Sequence, residues 1–550
     1  MKIKVRREPT GGHALLLVVA VTAVGLLLRL LWLGDGGLGY YELILARLAT
    51  EDPGGFWGQI ESGRPPLYPA LIWCWAQVFG VSPLALRLPS AFFSAAAVPM
   101  VFLAGRRLFD GRVGILAAVL MAVSPFQIEF AQLHRYYALM VLLGVTSVWT
   151  LLRALGVGEG GDAGGRPRDW VAYVVVSTLL FYTQPMAIFT LAAVAAVMGV
   201  MTVRGGLRHR QQARFWGAQI AIVALAVPWL VLPVVEVVRN APPATSGGGD
   251  RVPWLMPPPW YALLRGPFNF LVLGVQHVGP AATSVASALV AAGALGTVLR
   301  GGPLRNGQGG FAGLWGLRRW VGDLRQRVVA GWWERERSWG LVAGWALGPL
   351  ALGLAVSWTM KPVYRDHYFM PAAPGLYVAI AVLLVAARKA VPLRASFLAL
   401  VVVMGGAVAS YFRDGYRAAW PEAAAWMDAR RQAGDAIDFA SERGLISEAE
   451  HLRDNWGWYA ADASEAGRVL PGPIDADPDR LGATLRERCG DAPGLWVVVR
   501  RGETRENPWF TAFMEHPVGW VAVTDHETFG DLVVMRVRRH YPTSASLSPG

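Results

Sequence analysis

Glu42 stands between Tyr41 and Leu43, just after the first long apolar run of the chain. A carboxylate there is a candidate general base toward a hydroxyl. Arg64 precedes Pro65 and Pro66, whose rings stiffen the backbone. A guanidinium held stiffly near a membrane surface suits a phosphate, through paired charge-assisted hydrogen bonds. Arg135 follows His134, and Arg365 and His367 precede Pro371. With Lys361, these cations would suit a lipid phosphate whose tail lies between helices. Asp35, Glu51, Asp52, Glu61, Tyr137 and Asp366 complete the ionisable set of the same loops. Each alone reads as a solvated loop residue; their convergence from distant loops would make a site. No Walker loop, nucleotide-binding glycine pattern, zinc motif or nucleophile elbow occurs. No cofactor is therefore expected, and a divalent metal finds no ligand motif.

The elements that must position these residues are membrane helices. The chain is 54% hydrophobic and 16% charged, against about 25% charged in soluble proteins. A span needs about 20 apolar residues. Candidates are 13–33, 88–105, 113–131, 137–155, 170–186, 187–203, 216–238, 282–299, 338–358, 368–387 and 395–412, about eleven in all. The apolar stretch 67–80 is shorter and Trp-rich, which suits an interfacial helix. That reading places every strongly basic loop on one side, as the positive-inside rule requires. The net charge of +12 is therefore a topology signal, and no nucleic-acid motif accompanies it. The N-terminus is expected in the cytoplasm and the acid- and base-bearing loops outside.

The Pro- and Trp-rich segment 239–281 is expected to cover a cavity mouth, and the Trp/Arg-rich segment 300–337 to lie on anionic lipid. From residue 413 the composition changes. Helical patterning runs from Trp420 to about Arg443; Leu495–Arg500, Trp520–Thr524 and Leu532–Val537 read as strands. The fold expected is a polytopic α-helical membrane module, 1–412, with its first outer loop at 34–87. An extracytoplasmic soluble α/β domain, 413–550, follows.

Several motifs, in order, carry a resemblance. Gly37-Leu38-Gly39-Tyr40-Tyr41-Glu42-Leu43 is similar to Gly-Leu-Trp-Tyr-Asp-Glu-Leu, and Arg64-Pro65-Pro66-Leu67-Tyr68 to Lys-Pro-Pro-Leu-Tyr. Arg87-Leu88-Pro89-Ser90-Ala91 and Gly105-Arg106-Arg107-Leu108-Phe109 bracket a span in the same pattern. Gln132-Leu133-His134-Arg135-Tyr136-Tyr137-Ala138-Leu139 resembles Gln-Glu-Ala-Arg-x-Tyr-Ala-Leu, and Tyr182-Thr183-Gln184 resembles Tyr-Thr-His. Pro228-Trp229-Leu230 and His367-Tyr368-Phe369-Met370-Pro371 resemble later landmarks. The chain thus resembles the membrane-embedded C-type glycosyltransferases, in the branch of the protein O-mannosyltransferases and the bacterial lipid A aminoarabinose transferase.

The resemblance implies an enzyme of the bacterial inner membrane. It would move a sugar from a polyprenyl-phosphate donor to a hydroxyl acceptor, on protein, lipid or glycan, with inversion. It implies phosphate binding by Arg64, Arg135, Arg365 and His367, and substrate contacts from Tyr41, Tyr68, His134, Tyr137 and Tyr368. The departures are specific. Tyr41 replaces the first acid of an Asp-Glu pair and Leu133 replaces a second outer acid. Arg64 replaces a Lys, and His367 an Arg. Glu42 remains as base, with Glu129 and Asp35 as substitute acids; Glu129 lies four positions before Leu133, one helical turn away. A non-catalytic protein that binds lipid-linked sugar is the alternative. A transporter ranks last, because no inverted repeat is visible.

Overall fold

The computed structural model describes residues 11–50, 65–157, 165–204, 207–239, 332–359, 363–386, 391–414, 419–441, 492–500, 521–529 and 532–539, with scattered positions between them. Arg64, Glu51, Glu61, Lys361, the expected span 282–299 and most of 239–281 and 300–337 lie outside the described residues. The chain forms two compact units. One comprises Met1–Leu33 and Leu48–Gly415; the other comprises Gly34–Arg47 and Tyr416–Gly550. The expected first outer loop is thus divided, its first part, Gly34–Arg47, belonging with the C-terminal residues.

The first unit is helical: α1 (Gly11–Leu30), then α2 (Tyr40–Thr50), which the division crosses, α3 (Leu67–Phe79), α4 (Pro83–Leu108), α5 (Gly111–Val123), α6 (Pro125–Ala131), α7 (Tyr137–Ala154) and α8 (Pro167–Thr183). There follow α9 (Ile188–Val203), α10 (His209–Arg239), α11 (Trp332–Thr359), a 3-10 segment (Asp366–Ala372), α12 (Ala373–Ala386) and α13 (Val391–Asp414). Among the described residues six segments are long and apolar enough to cross a membrane: Gly12–Leu30, Pro83–Leu108, Tyr137–Ala154, Pro185–Val203, Ser338–Thr359 and Asp366–Val385. The pair α5 and α6, bent by 55°, makes a seventh if it is one broken span. Helices also occupy the expected spans 170–186, 216–238 and 395–412. Length and apolarity therefore support six or seven spans among the described residues, fewer than the eleven expected. α3 has 13 residues, about 20 Å at ~1.5 Å per residue, too short for a ~30 Å hydrocarbon core.

Proline shapes this bundle. Pro89 lies inside α4 and offers no N–H to the carbonyl of Ala85. The Trp75 indole of α3 donates to that carbonyl instead, at 2.8 Å, which docks the short helix on α4. Pro125 ends α5: Ser124 before it is extended, with φ −63° and ψ 119°. The last carbonyls of α5 are then without helical partners in an apolar interior. Arg29, 0% exposed, supplies donors. Its Nη1 donates to Ala122 O at 2.9 Å and Gly25 O at 2.8 Å, its Nη2 to Met121 O at 3.1 Å, and its Nε to Ser94 Oγ at 2.7 Å. Beyond the break, Ser124 caps α6 by accepting from Gln127 N at 3.3 Å, and Tyr377 of α12 donates to Ser124 Oγ at 2.9 Å. The far end of α6 is held by Gln132, whose amide donates to Leu31 O at 2.7 Å and accepts from the Tyr411 hydroxyl at 2.8 Å.

The second unit contains a five-stranded mixed sheet, order β2-β1-β3-β5-β4, with β1 (Ala436–Ser441), β2 (Arg468–Val469), β3 (Leu495–Arg500), β4 (Val521–Phe529) and β5 (Leu532–Arg539). β1 runs parallel to β2 and β3; β5 runs antiparallel to β3 and β4. Ile437, Phe439, Trp496, Val498, Leu532 and Val534 pack on one face with Trp420, Ala423, Ala424 and Met427 of α14 (Trp420–Asp428). The three expected strands are present. The expected helix to about Arg443 ends at Asp428, and its second half is β1 after a turn at Gly434, whose φ is +87°. A buried ion pair locks that turn to the sheet. Arg536 Nη2 lies 2.6 Å from Asp435 Oδ2, which also accepts from the Trp496 indole at 3.0 Å and Gln432 N at 3.0 Å.

Two predictions follow from these polar clamps. Arg29→Met leaves the Met121 and Ala122 carbonyls without the guanidinium, at about 1–3 kcal/mol for each buried unsatisfied group. The thermal midpoint of the detergent-solubilised protein is expected to fall; an unchanged midpoint refutes the clamp. For Asp435, burial pushes the carboxyl up, but the Gln432 N–H, the Arg536 guanidinium and the Trp496 indole outweigh it and hold the group below its ordinary range. A depressed folded pKa means that the stabilisation is complete above the unfolded value, about 3.9, and is lost as pH falls through the lower native value. Arg536→Met removes one partner of a buried pair, at about 3–5 kcal/mol. It should also flatten the acid limb of a denaturation-versus-pH curve; an acid limb as steep as in the parent would refute the assignment.

Candidate active site

α6 ends at Ala131, and a turn over Gln132–Tyr136 leads into α7. This turn presents Arg135. Its guanidinium carbon lies 5.1 Å from the centre of the Tyr136 ring and 5.5 Å from that of Tyr137. Burial works against the charge of Arg135, but Tyr137 and Tyr136 more than offset it and raise its pKa above the ordinary value. The side chain therefore stays cationic throughout the usable pH range. Burial pushes the Tyr136 phenol well up, so it stays protonated. The Gln184 amide at the end of α8 donates to the Tyr136 hydroxyl at 2.7 Å and fixes that ring.

The second wall is the 3-10 segment Asp366–Ala372. His367 packs against Tyr137 at 5.2 Å and Tyr368 at 4.6 Å, both edge-on, and lies 5.8 Å from Phe130. The guanidiniums of Arg135 and Arg365 both lie close enough to the His367 ring to act on it electrostatically. Asn269 donates to the Asp366 carboxylate. Two close approaches seat the segment. Gly144 of α7 lies where a Cβ would stand 2.8 Å from Pro371, and Gly353 of α11 where one would overlap the Phe369 ring. The Trp345 indole donates to Pro371 O at 2.7 Å.

The structure thus brings Arg135, Tyr136, Tyr137, Arg365, His367 and Tyr368 to one end of the bundle. Others of the sequence set are placed differently. Tyr68 and His134 are each 0% exposed. They bond to one another, and His134 also to the Leu86 carbonyl. Glu129 belongs to α6, and its Oε2 is buried with no hydrogen-bond partner. The helix stops before Leu133, so the one-turn stacking of Glu129 over Leu133 is absent. Asp35, Tyr41 and Glu42 belong to the other unit. There Asp35 and Tyr41 are exposed, whereas Glu42 is buried at 4% exposure. Glu42 sits near the start of α2, and its Oε2 accepts from Gly39 N at 2.8 Å, the reach-back bond of a capping box. Arg64 lies outside the described residues. Among those described, no three His, Cys, Asp or Glu side chains converge to hold a metal ion.

Sequence reasoning assigned no role to Ser90, Gln184, Phe130 or Asn269. Ser90 and Gln184 fall inside motifs already quoted, so position within a motif was the available signal. Asn269 and Phe130 had none, because the contacts they make span the fold.

Residues 63–232 match the model of the dolichyl-phosphate-mannose-protein mannosyltransferase family. No curated protein matches the sequence. Among solved structures, ArnT from Cupriavidus metallidurans in the apo state superposes with a TM-score of 0.51 at 14% identity, over 94% of this chain and 97% of that one. The same protein bound to undecaprenyl phosphate gives 0.51 at 12% identity, over 97% and 99%. The fold is that of a C-type glycosyltransferase. The Archaeoglobus fulgidus oligosaccharyltransferase, tethered with an acceptor peptide, is also similar, with a TM-score of 0.49 at 14% identity over 89% of this chain and 69% of that one. The C-type fold and the apolar helices make this a membrane protein.

Proposed function

We propose that the chain is a polyprenyl-phosphate-dependent glycosyltransferase acting at the outer face of the membrane. The observation that supports it most is Arg135, its guanidinium 5.1 and 5.5 Å from the centres of the Tyr136 and Tyr137 rings and within electrostatic reach of His367, as Arg365 also is. A preorganised cationic pocket next to lipid is what a phosphate on a lipid tail needs. The family match covers Arg64 and Arg135, and the similar ArnT binds undecaprenyl phosphate. On this reading the N-terminus is cytoplasmic and the 413–550 region extracytoplasmic.

In the reaction, Arg135, Arg64, Arg365 and His367 bind the donor phosphate, while Tyr137 and Tyr368 contact the sugar. Glu42 takes the proton of the acceptor hydroxyl, with Asp35 and Glu129 as the other available acids. The acceptor oxygen forms the new bond to the anomeric carbon as the bond to phosphate breaks on the opposite face, so the centre inverts. The electron pair leaves on the phosphate oxygen, where the arginines stabilise it.

Glu42→Gln tests the base cleanly, because glutamine can keep the capping bond to Gly39 N while losing basicity. Turnover is expected to drop roughly 10²–10⁴-fold with little change in thermal stability; normal turnover refutes the base. Should purified wild-type protein bind the lipid phosphate but transfer no sugar, the non-catalytic binding reading replaces the enzyme. Arg135→Ala removes a charged hydrogen-bond donor worth about 1.5–3 kcal/mol. The Kd for undecaprenyl phosphate should therefore rise at least about tenfold; an unchanged Kd overturns the phosphate role of Arg135.

A further inference from the structure

Tyr68, Ser90 and His134 touch no reacting group in the mechanism above, yet each is 0% exposed. Their hydrogen bonds have a fixed direction. His134 Nδ1 lies 3.0 Å from Leu86 O, and a carbonyl only accepts, so Nδ1 carries the proton. The Tyr68 hydroxyl lies 3.3 Å from the same nitrogen and 3.2 Å from Ser90 Oγ. Ser90 donates its proton to Arg135 O at 3.1 Å, so in its contact with Tyr68 it accepts. The chain of bonds therefore runs from Tyr68 through Ser90 to the Arg135 carbonyl, with His134 tied to Leu86.

That carbonyl lies just outside a helix. α7 begins at Tyr137, and the first carbonyl of its ladder is Tyr136 O, bonded by Met140 N at 2.9 Å. Arg135 O stands one residue outside the ladder. The half-buried carbonyl there accepts from a side chain of α4 instead. The motif comparison adds a second observation: His134 stands where the similar pattern has alanine, and Leu133 where it has an acid. This chain has an imidazole built in beside the arginine where the pattern has a methyl group.

We infer that Tyr68, Ser90 and His134 form a buried strut from α3 and α4 to the Arg135 backbone. Its work is to aim the Arg135 guanidinium at the donor phosphate. They are positioning residues, and the inference rests on the phosphate reading of Arg135. The test uses the full-length protein in nanodiscs, with undecaprenyl phosphate as probe. Ser90→Ala and Tyr68→Phe each remove one hydroxyl, and Ser90→Thr retains it. Ser90→Ala and Tyr68→Phe should each raise the Kd roughly 2- to 13-fold, the worth of one ordinary hydrogen bond, while Ser90→Thr stays near the parent. In an Arg135→Ala background the same changes should add nothing further. Equal effects with and without Arg135, or none in the parent, overturn the inference.

A second measurement is independent of the ligand. Amide hydrogen exchange over 132–140 should quicken in Ser90→Ala, by a similar factor, and recover in Ser90→Thr. Unchanged exchange also overturns the strut. Wild-type protein that fails to bind undecaprenyl phosphate would instead sink the proposed function, and exchange alone would then decide the strut.

Discussion

Inside a bilayer no water is present to satisfy a backbone N–H or C=O, so a span can break only where protein groups take over the freed bonds. The break at Ser124 and Pro125 is where this chain meets that constraint. Arg29 resolves it with a fully buried guanidinium that reaches the carbonyls of Met121 and Ala122 across from another helix. The cation also sits at the C-terminal end of α5, where the helix dipole favours positive charge. A lysine would bring one ammonium without the planar fork that spans two carbonyls and a hydroxyl together. The choice of arginine is thus dictated by geometry as much as by charge.

Everything that distinguishes the candidate site lies downstream of that break. Because α6 is turned by 55° from α5, the chain leaves it into an irregular turn rather than continuing up the bundle. The turn needs side-chain donors and acceptors, and Gln132, Ser90 and the Gln184–Tyr136 pair provide them. Arg135 then projects beside the tyrosines that start α7. The opposing 3-10 segment comes close because glycines on α7 and α11 remove the Cβ atoms that would keep it away. A local defect in one helix thus leads into a turn that carries Arg135 beside two tyrosine rings.

How much of this was legible beforehand varies with the physics behind each feature. Span positions follow from apolar runs, and six of the expected spans are long apolar helices here. The short Trp-rich stretch after Arg64 reads as too short to span, and it is α3. β1 was hidden: Asp438 interrupts its apolar pattern and Asp435 stands just before it, and both acids are buried in the folded unit. A buried acid looks like a surface acid until its partner, Arg536, is known, and that partner lies about 100 positions away. The site was legible as a list and not as an arrangement. Arg135, Tyr137 and His367 were named together, but the burial of Tyr68 and His134 was not legible, because motif position says nothing of which way a side chain faces.

On the proposed function, the difference at Leu133 from the similar pattern has a physical reading. At the proposed phosphate site, leucine in place of an acid at 133 would leave the surroundings of Arg135 more positive, which strengthens the attraction for a phosphate and for the charge that grows on it as it leaves. The same loss leaves fewer groups able to accept a proton from the acceptor. On that proposal the site would lean on leaving-group stabilisation more than on activation of the nucleophile. Such a balance suits an acceptor hydroxyl that is already acidic or already well oriented, since proximity alone supplies a large part of a barrier reduction. It also explains why aiming Arg135 would matter more in this chain than in one with its acids intact. A cation with fewer carboxylates to orient it needs another constraint, and the buried hydroxyls behind its backbone supply one.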